Sequence, residues 1–260
     1  MTDFSDTLPS WHILRLDTVD STNSYLRSMP AETLRQAPFC AVTARFQQAG
    51  RGQRGNSWES ERDANLLFSI GVRPRFLPPV RQFALSHLIS LAVRNTLIRY
   101  TDDIRIKWPN DIYAGDCKIC GILIECDLTG SHIERACIGT GINLNQTQFR
   151  STAPNPISLA QLTGHRFQPD EVLNQVLGHF ETLYRELENG NGDAIRKQYL
   201  DSLYRRNELH PYRDAGGLFQ ARLYDVEADG HLLLQDADGR IRRYAFKEVQ
   251  FVQPSDPSTR

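Results

Sequence analysis

A chain of 260 residues in which hydrophobic side chains make up 40% and charged ones 23% has ordinary globular proportions, which excludes a disordered chain, a fibrous repeat and a supercharged nucleic-acid arm. Thirty basic against thirty-one acidic residues leave a formal charge of −1, so any grip on an anionic partner has to come from a local patch. The length suits one main domain with a small appendage.

Met1 to Ser10 is polar, carries Asp3, Asp6 and Pro9, and lacks the basic start and apolar stretch of a secretory signal; it reads as a tail. Beyond it, strands are predicted over Ile13 to Leu16, Phe39 to Phe46, Leu66 to Val72, Ile104 to Trp108, Ile119 to Cys126 and Arg135 to Leu144. Apolar residues at three- and four-residue steps after Pro78-Pro79, from Phe83 to Ile98, predict a helix. A second predicted helix runs from Asp170 to Leu187 and stops at Asn189-Gly190-Asn191-Gly192. After a boundary near His210-Pro211, short strands at Leu218 to Val226, His231 to Gln235, Ile241 to Phe246 and Val249 to Val252, with Asp229-Gly230 and Asp238-Gly239 between them, predict a small all-β meander. The tail from Pro254 reads as disordered, and no apolar run approaches a membrane span.

Three segments can carry chemistry. Gly50-Arg51-Gly52-Gln53-Arg54-Gly55 matches a dinucleotide fingerprint by letter, but Asn56-Ser57-Trp58 and a strand follow where that fold needs an apolar helix. The segment reads instead as a flexible loop whose N–H and guanidinium groups can wrap an anion, or as a plain basic turn. In Lys107-Trp108-Pro109-Asn110-Asp111 the proline ends a strand and sets Asn110 and Asp111 at its tip; a second hairpin arm brings up Lys118 ahead of the strand containing Gly121. That spacing fits either a proton-handling pair for phosphate chemistry or an ordinary surface ion pair. Ser21-Thr22-Asn23 caps a helix start. Cys117 and Cys120 form a C-x-x-C without the second pair of a zinc site, and five cysteines, an odd number, fit buried thiols in a reducing compartment.

In order along the chain, Asp20-Ser21-Thr22-Asn23, Gln47-Gln48-Ala49-Gly50-Arg51-Gly52-Gln53-Arg54-Gly55-Asn56-Ser57-Trp58, Asn65-Leu66, Lys107 to Asp111, Lys118, Gly121 to Glu125 and Gly139-Thr140-Gly141-Ile142-Asn143 resemble the biotin protein ligases, over roughly Trp11 to Val252. The resemblance implies an α/β catalytic domain with a mixed β-sheet flanked by helices, residues 11–210, and a small SH3-like all-β domain, residues 211–253. It implies activation of biotin by ATP with Mg2+ to biotinyl-AMP, then transfer to a lysine of a biotin carboxyl carrier protein or domain, as in acetyl-CoA carboxylase, in the cytoplasm. Catalytic roles are implied for Lys118, Arg51 and Asp111. Biotin contacts are implied for Ser21, Thr22, Asn23, Gln47, Gly50, Arg51, Lys118, Gly121 and Ile122. Nucleotide contacts are implied for Arg51, Gly52, Gln53, Arg54, Gly55, Trp58, Asn110, Lys118 and Asn143, with Trp58 beside the adenine; no metal ligand is assigned.

Two departures from the family pattern shape the expectations. Gln53 stands where the family carries arginine, which predicts weaker retention of biotinyl-AMP. Only ten residues precede Trp11, too few for the helix-turn-helix of ligases that also repress, so a monofunctional ligase without a nucleic-acid or membrane partner is expected, as monomer or homodimer. The nearest enzyme alternative is a lipoate or octanoate transferase of the same architecture. An alternative of another class is a non-catalytic biotin-binding regulatory module, against which Lys118 and Arg51 argue.

Overall fold

The computed structural model describes residues 10–30, 34, 37–150 and 155–252; the N-terminal tail to residue 9, the predicted tail from Pro254 and the side chain of Arg54 lie outside the described residues. Seven strands make one mixed sheet: β1 (Trp11–Val19), β2 (Phe39–Gln47), β3 (Leu66–Val72), β4 (Ile104–Lys107), β5 (Asp111–Ala114), β6 (Cys117–Thr129) and β7 (His132–Ile142). Their order is β1-β2-β3-β7-β6-β5-β4, with β1 and β2 parallel and every other neighbouring pair antiparallel.

The two sheet faces have different duties. Ile13, Phe39, Ala41, Phe68, Ile70, Ile122 and Ile138 point into one core shared with α2 (Ala84–Leu97) and α4 (Pro169–Glu188). On α4, Pro169 pre-sets the first turn and Val172, Leu173, Val176, Leu177, Phe180, Leu183 and Tyr184 form the buried stripe that the spacing predicted. On the opposite face Leu14, Cys40, Val42 and Cys137 pack against Leu26 of α1 (Thr22–Ser28). β1 and β2 are thus buried on both sides, which is why Phe39 to Val42 is an unbroken apolar run.

A second sheet is entirely antiparallel: β8 (His210–Asp214), β9 (Gly217–Val226), β10 (Leu232–Asp236), β11 (Ile241–Tyr244) and β12 (Gln250–Phe251), in the order β11-β10-β9-β8-β12. Gly230 and Gly239 take φ of 94° and 83°, the left-handed geometry that the two Asp-Gly turns require. The sheets are joined closely. Trp108 Nε1 donates to the Gly230 carbonyl at 2.9 Å, the Trp108 ring meets Phe246, and Arg205 donates to the Val252 carbonyl at 2.8 Å. Buried residues of both sheets belong to one apolar cluster.

Some elements differ from the sequence expectation. Trp108 lies outside β4, in the turn before β5, and β8, a strand that was not predicted, opens the second sheet at His210. Two helices were not anticipated: α3 (Leu159–Thr163) and α5 (Gly192–Asp201). Both had signals, a Ser158/Gln161 capping box for α3 and Ile195, Tyr199 and Leu200 on one face of α5. Among the described residues no helix is long and apolar enough to cross a membrane.

Candidate functional site

The α1 face of the sheet opens into a cleft of about 950 Å³ lined from Ser21 at one end to Gln250 of the small sheet at the other. Its floor is made of glycines. Gly121 and Gly141 are register partners on β6 and β7, and Gly139 lies two residues along. Where side chains would stand, the indole of Trp58 lies instead: a Cβ added at Gly141 would meet its Cε2 at 2.4 Å, and one at Gly121 its Cζ3 at 2.6 Å. At Gly139 the same test meets Asn23 at 3.2 Å. Trp58 therefore anchors its loop on the sheet, a role that its polar sequence neighbours hid.

At the inner end, the Thr22 N–H and hydroxyl both donate to Gln47 Oε1, at 2.8 and 3.0 Å, and the hydroxyl also meets Ser69 Oγ at 2.8 Å. Ser21 caps α1 and Asn23 donates to Glu125 at 2.6 Å. Asn23 Oδ1, Trp58 Nε1 and Asn143 Oδ1 are buried along the cleft with no hydrogen-bond partner in the protein. A buried polar atom without a partner costs about 1–3 kcal/mol, and two of these, Trp58 Nε1 and Asn23 Oδ1, lie against the glycine floor.

The glycine loop folds back over this floor. Trp58 N donates to Gly50 O at 2.9 Å and Gly52 N to Asn56 O at 2.6 Å, closing Gly50 to Trp58 as a short hairpin with a 3₁₀ turn at Gln53–Gly55. Gln53 Nε2 donates to Asn110 Oδ1 at 3.1 Å and to the Ile122 carbonyl at 3.2 Å, strapping the loop to the β4–β5 turn. Ile122 reaches the cleft through its main chain, which accepts from Gln53, while its side chain lies in the core on the opposite face. Arg51 is bonded to Glu125, at 3.0 and 3.2 Å, and to Ser24 Oγ. It does not pair with an acid beside Lys118.

Lys118 and Asp111, separated by seven residues, meet across the β5–β6 hairpin at 2.7 Å, each about a quarter exposed. The turn carrying Asp111 is held from below: buried Tyr199 of α5 donates its hydroxyl to the Pro109 carbonyl at 2.7 Å. Sequence reasoning missed Tyr199 because α5 went unrecognised.

Lys107 belongs to the same cleft, its amine donating to Tyr113 Oη at 2.9 Å and lying over the Phe251 ring of β12. Burial drives its pKa from 10.5 down to about 8; Asp111 pulls it up, while Lys118 and Arg205 push it lower. Between pH 8 and 10.5 the unfolded chain therefore binds this proton more readily, and stability rises with pH across that window. Lys107→Met is expected to melt above the parent below pH 8, with the gap closing as pH rises through that window. Thermal unfolding as a function of pH checks this, and a pH-independent gap contradicts it.

Among the described residues, the His, Cys, Asp and Glu side chains close enough to share a metal are Glu227, Asp229 and His231, which lie outside the cleft with both acids paired to Arg243. The five cysteines are free. Cys40, Cys120 and Cys137 are buried and Cys126 is half-buried, all with pKa raised by burial. Cys117, also half-buried, does not extend a metal set.

Residues 16–143 match the model of the Biotin/lipoate A/B protein ligase family. Over 140 residues the chain is 41% identical to the Bifunctional ligase/repressor BirA of Salmonella typhimurium, covering 53% of this chain and 42% of that protein. It spans less than half the length of that relative and of its Escherichia coli counterpart. Over 236 residues it is 29% identical to the Biotin--[acetyl-CoA-carboxylase] ligase of Paracoccus denitrificans, covering 85% of this chain and 93% of that one. In fold it is similar to the biotin protein ligase of Aquifex aeolicus solved with biotin and ATP, with a TM-score of 0.75, 24% identity and coverage of 92% and 97%. The segment matched to the biotin/lipoate A/B protein ligase family holds the whole cleft floor, the glycine loop and the Lys118–Asp111 pair.

Proposed function

We propose that this chain is a biotin protein ligase, which joins biotin to ATP as biotinyl-AMP and passes the biotinyl group to a lysine of a biotin carboxyl carrier protein. The observation that carries the reading is one continuous cleft with a Thr22–Gln47 hydrogen-bonding end, an indole seated on bare sheet, and a Lys118–Asp111 pair. Similarity across 93% of a biotin--[acetyl-CoA-carboxylase] ligase supports biotin over lipoate.

Adenylation brings two anions together. The biotin carboxylate attacks the α-phosphorus of ATP and pyrophosphate leaves, so fixed cations have to offset charge on the approach and in the pentavalent state. Lys118 does this from β6, and Arg51 from the loop. Ser21, Thr22, Asn23 and Gln47 grip the biotin ring, with the main chain of Gly50, Gly121 and Ile122 around it. Trp58, Asn110, Asn143 and the loop from Gly52 to Gly55 meet the nucleotide. Mg2+ would enter with ATP and offset phosphate charge, held largely by the substrate phosphates, with Asp111 and Glu59 the acidic side chains among the described residues of the lining. In the second step the acceptor lysine attacks the acyl carbon, AMP departs, and Asp111 orients the amine. The seated loop keeps water from the mixed anhydride in between.

On this reading residues 11–210 form the catalytic domain and 211–253 the appended one, which supplies Lys247 and Gln250 to the cleft rim. Five free thiols support work in the cytoplasm. Mass spectrometry of a carrier domain incubated with the protein, biotin, ATP and magnesium tests the assignment; biotin should add to a single lysine. Labelling by lipoate or octanoate instead overturns it.

Gln53 offers a sharper check. Its amide straps the loop without charge, and Gln53→Arg keeps donors there while adding a cation beside the adenylate phosphate. The variant is expected to release biotinyl-AMP severalfold more slowly in stopped-flow dissociation. Equal or faster release contradicts the expectation.

A further inference from the structure

Glu125 is a carboxylate at the edge of the cleft, bonded to Asn23 and Arg51 of its lining. It lies on β6 on the same face as Gly121, side chain 19% exposed, and accepts from three directions: Asn23 Nδ2 at 2.6 Å, Arg27 Nη1 at 2.9 Å, and both Arg51 Nη atoms at 3.0 and 3.2 Å. Arg27 continues to Asp127, which also holds Arg135. An alternating ladder of charge thus ties the glycine loop, α1, β6 and β7 along the cleft edge.

Two features make the Arg51 contact exchangeable. Glu125 keeps two donors, Asn23 and Arg27, if Arg51 leaves, so its carboxylate is not stranded. Arg51 is 44% exposed, in the range where an ion pair is screened and weak. The loop's cation is therefore held by an internal anion that it can give up for an external one.

We propose that Glu125 is a positioning residue that parks Arg51 at the cleft edge and competes with the anionic substrate for it, so that Glu125 limits how tightly the cleft binds anions. The inference rests on the reading that Arg51 meets an anion of the substrates. Loop closure over substrate is then an exchange of one carboxylate for another, and the empty cleft does not present a bare guanidinium.

The test is isothermal titration of the full chain and Glu125→Gln with biotin and with biotinol, the uncharged alcohol analogue. Glutamine preserves size and an acceptor for Asn23 and Arg27. Competition predicts that Glu125→Gln binds biotin about two- to fivefold more tightly, the range for an exposed ion pair, while biotinol affinity stays unchanged. A purely structural role moves both ligands alike, and weaker or unaltered biotin binding overturns the proposal. Arg51→Ala separates the two levels. If Arg51→Ala weakens biotin while Glu125→Gln fails to tighten it, the competition alone is wrong. If Arg51→Ala leaves biotin affinity and adenylation unchanged, the reading beneath it fails. In Arg51→Ala/Glu125→Gln the gain should disappear, and persistence of the gain also overturns the competition.

Discussion

Replacing Lys118 with alanine should lower the rate of pyrophosphate release by roughly 10²–10³-fold, the loss seen when one fixed donor to a charged transition state is removed. Its amine is the cation held at the inner side of the cleft, 22% exposed and within 2.7 Å of Asp111. At such a partly desolvated position a unit charge interacts several times more strongly than in water. The ground state gains less, because biotin also has the Thr22–Gln47 end, so biotin affinity should fall by no more than about tenfold. Stability should change little, since a partly exposed pair contributes about 1 kcal/mol or less. A quenched-flow measurement of pyrophosphate, paired with calorimetric biotin binding, reads both. Near-native release from Lys118→Ala removes Lys118 from the reaction, and a comparable collapse of biotin binding turns it into a binding residue. Asp111→Asn completes the comparison: it frees the amine, so adenylation should survive better than transfer to the carrier.

The Lys118–Asp111 pair was visible in the sequence because a proline-ended strand and two short hairpin arms leave few geometries for seven residues. The strands of the large sheet and the α2 and α4 stripes were visible for a related reason: local apolar spacing and the buried face agree there. What escaped lay where tertiary contacts decide. α5 starts on the last residue of an Asn-Gly cluster that reads as a stop, and it is a helix because Ile195, Tyr199 and Leu200 find the core. Arg51 looked like a free partner for an incoming anion, and only the folded cleft shows Glu125 in its grasp. Spacing cannot reveal that contact, which joins residues 74 apart. Ile122, next to Gly121, turns its side chain to the other side of the sheet by the two-residue alternation of the strand and offers the cleft its carbonyl alone.

Trp58 and the two glycines under it lead to the last expected result. A methyl group at position 141 would fall 2.4 Å from Cε2 and 2.5 Å from Nε1 of the indole, far inside contact distance, and strand β7 is pinned on both sides by β3 and β6. The ring, not the sheet, has to move in Gly141→Ala. Moving it unseats the loop, because Trp58 N carries the Gly50 closure and Gln53 is strapped from the same hairpin to Asn110. Arg51 and the nucleotide-facing residues then lose their registration against Lys118. Displacements of about 1 Å at reacting groups cost roughly a hundredfold in rate, and kcat/KM for adenylation should fall by that order. Tryptophan emission should shift to the red, since Trp11 and Trp108 remain buried and only the loop indole is expelled. The decisive measurement is a double-mutant cycle with Trp58→Phe, whose smaller ring leaves room for the new methyl. If the clash is the cause, the pair recovers part of what Gly141→Ala loses; strictly additive losses, or an unshifted emission in an active Gly141→Ala, mean that the indole is not what the bare floor accommodates.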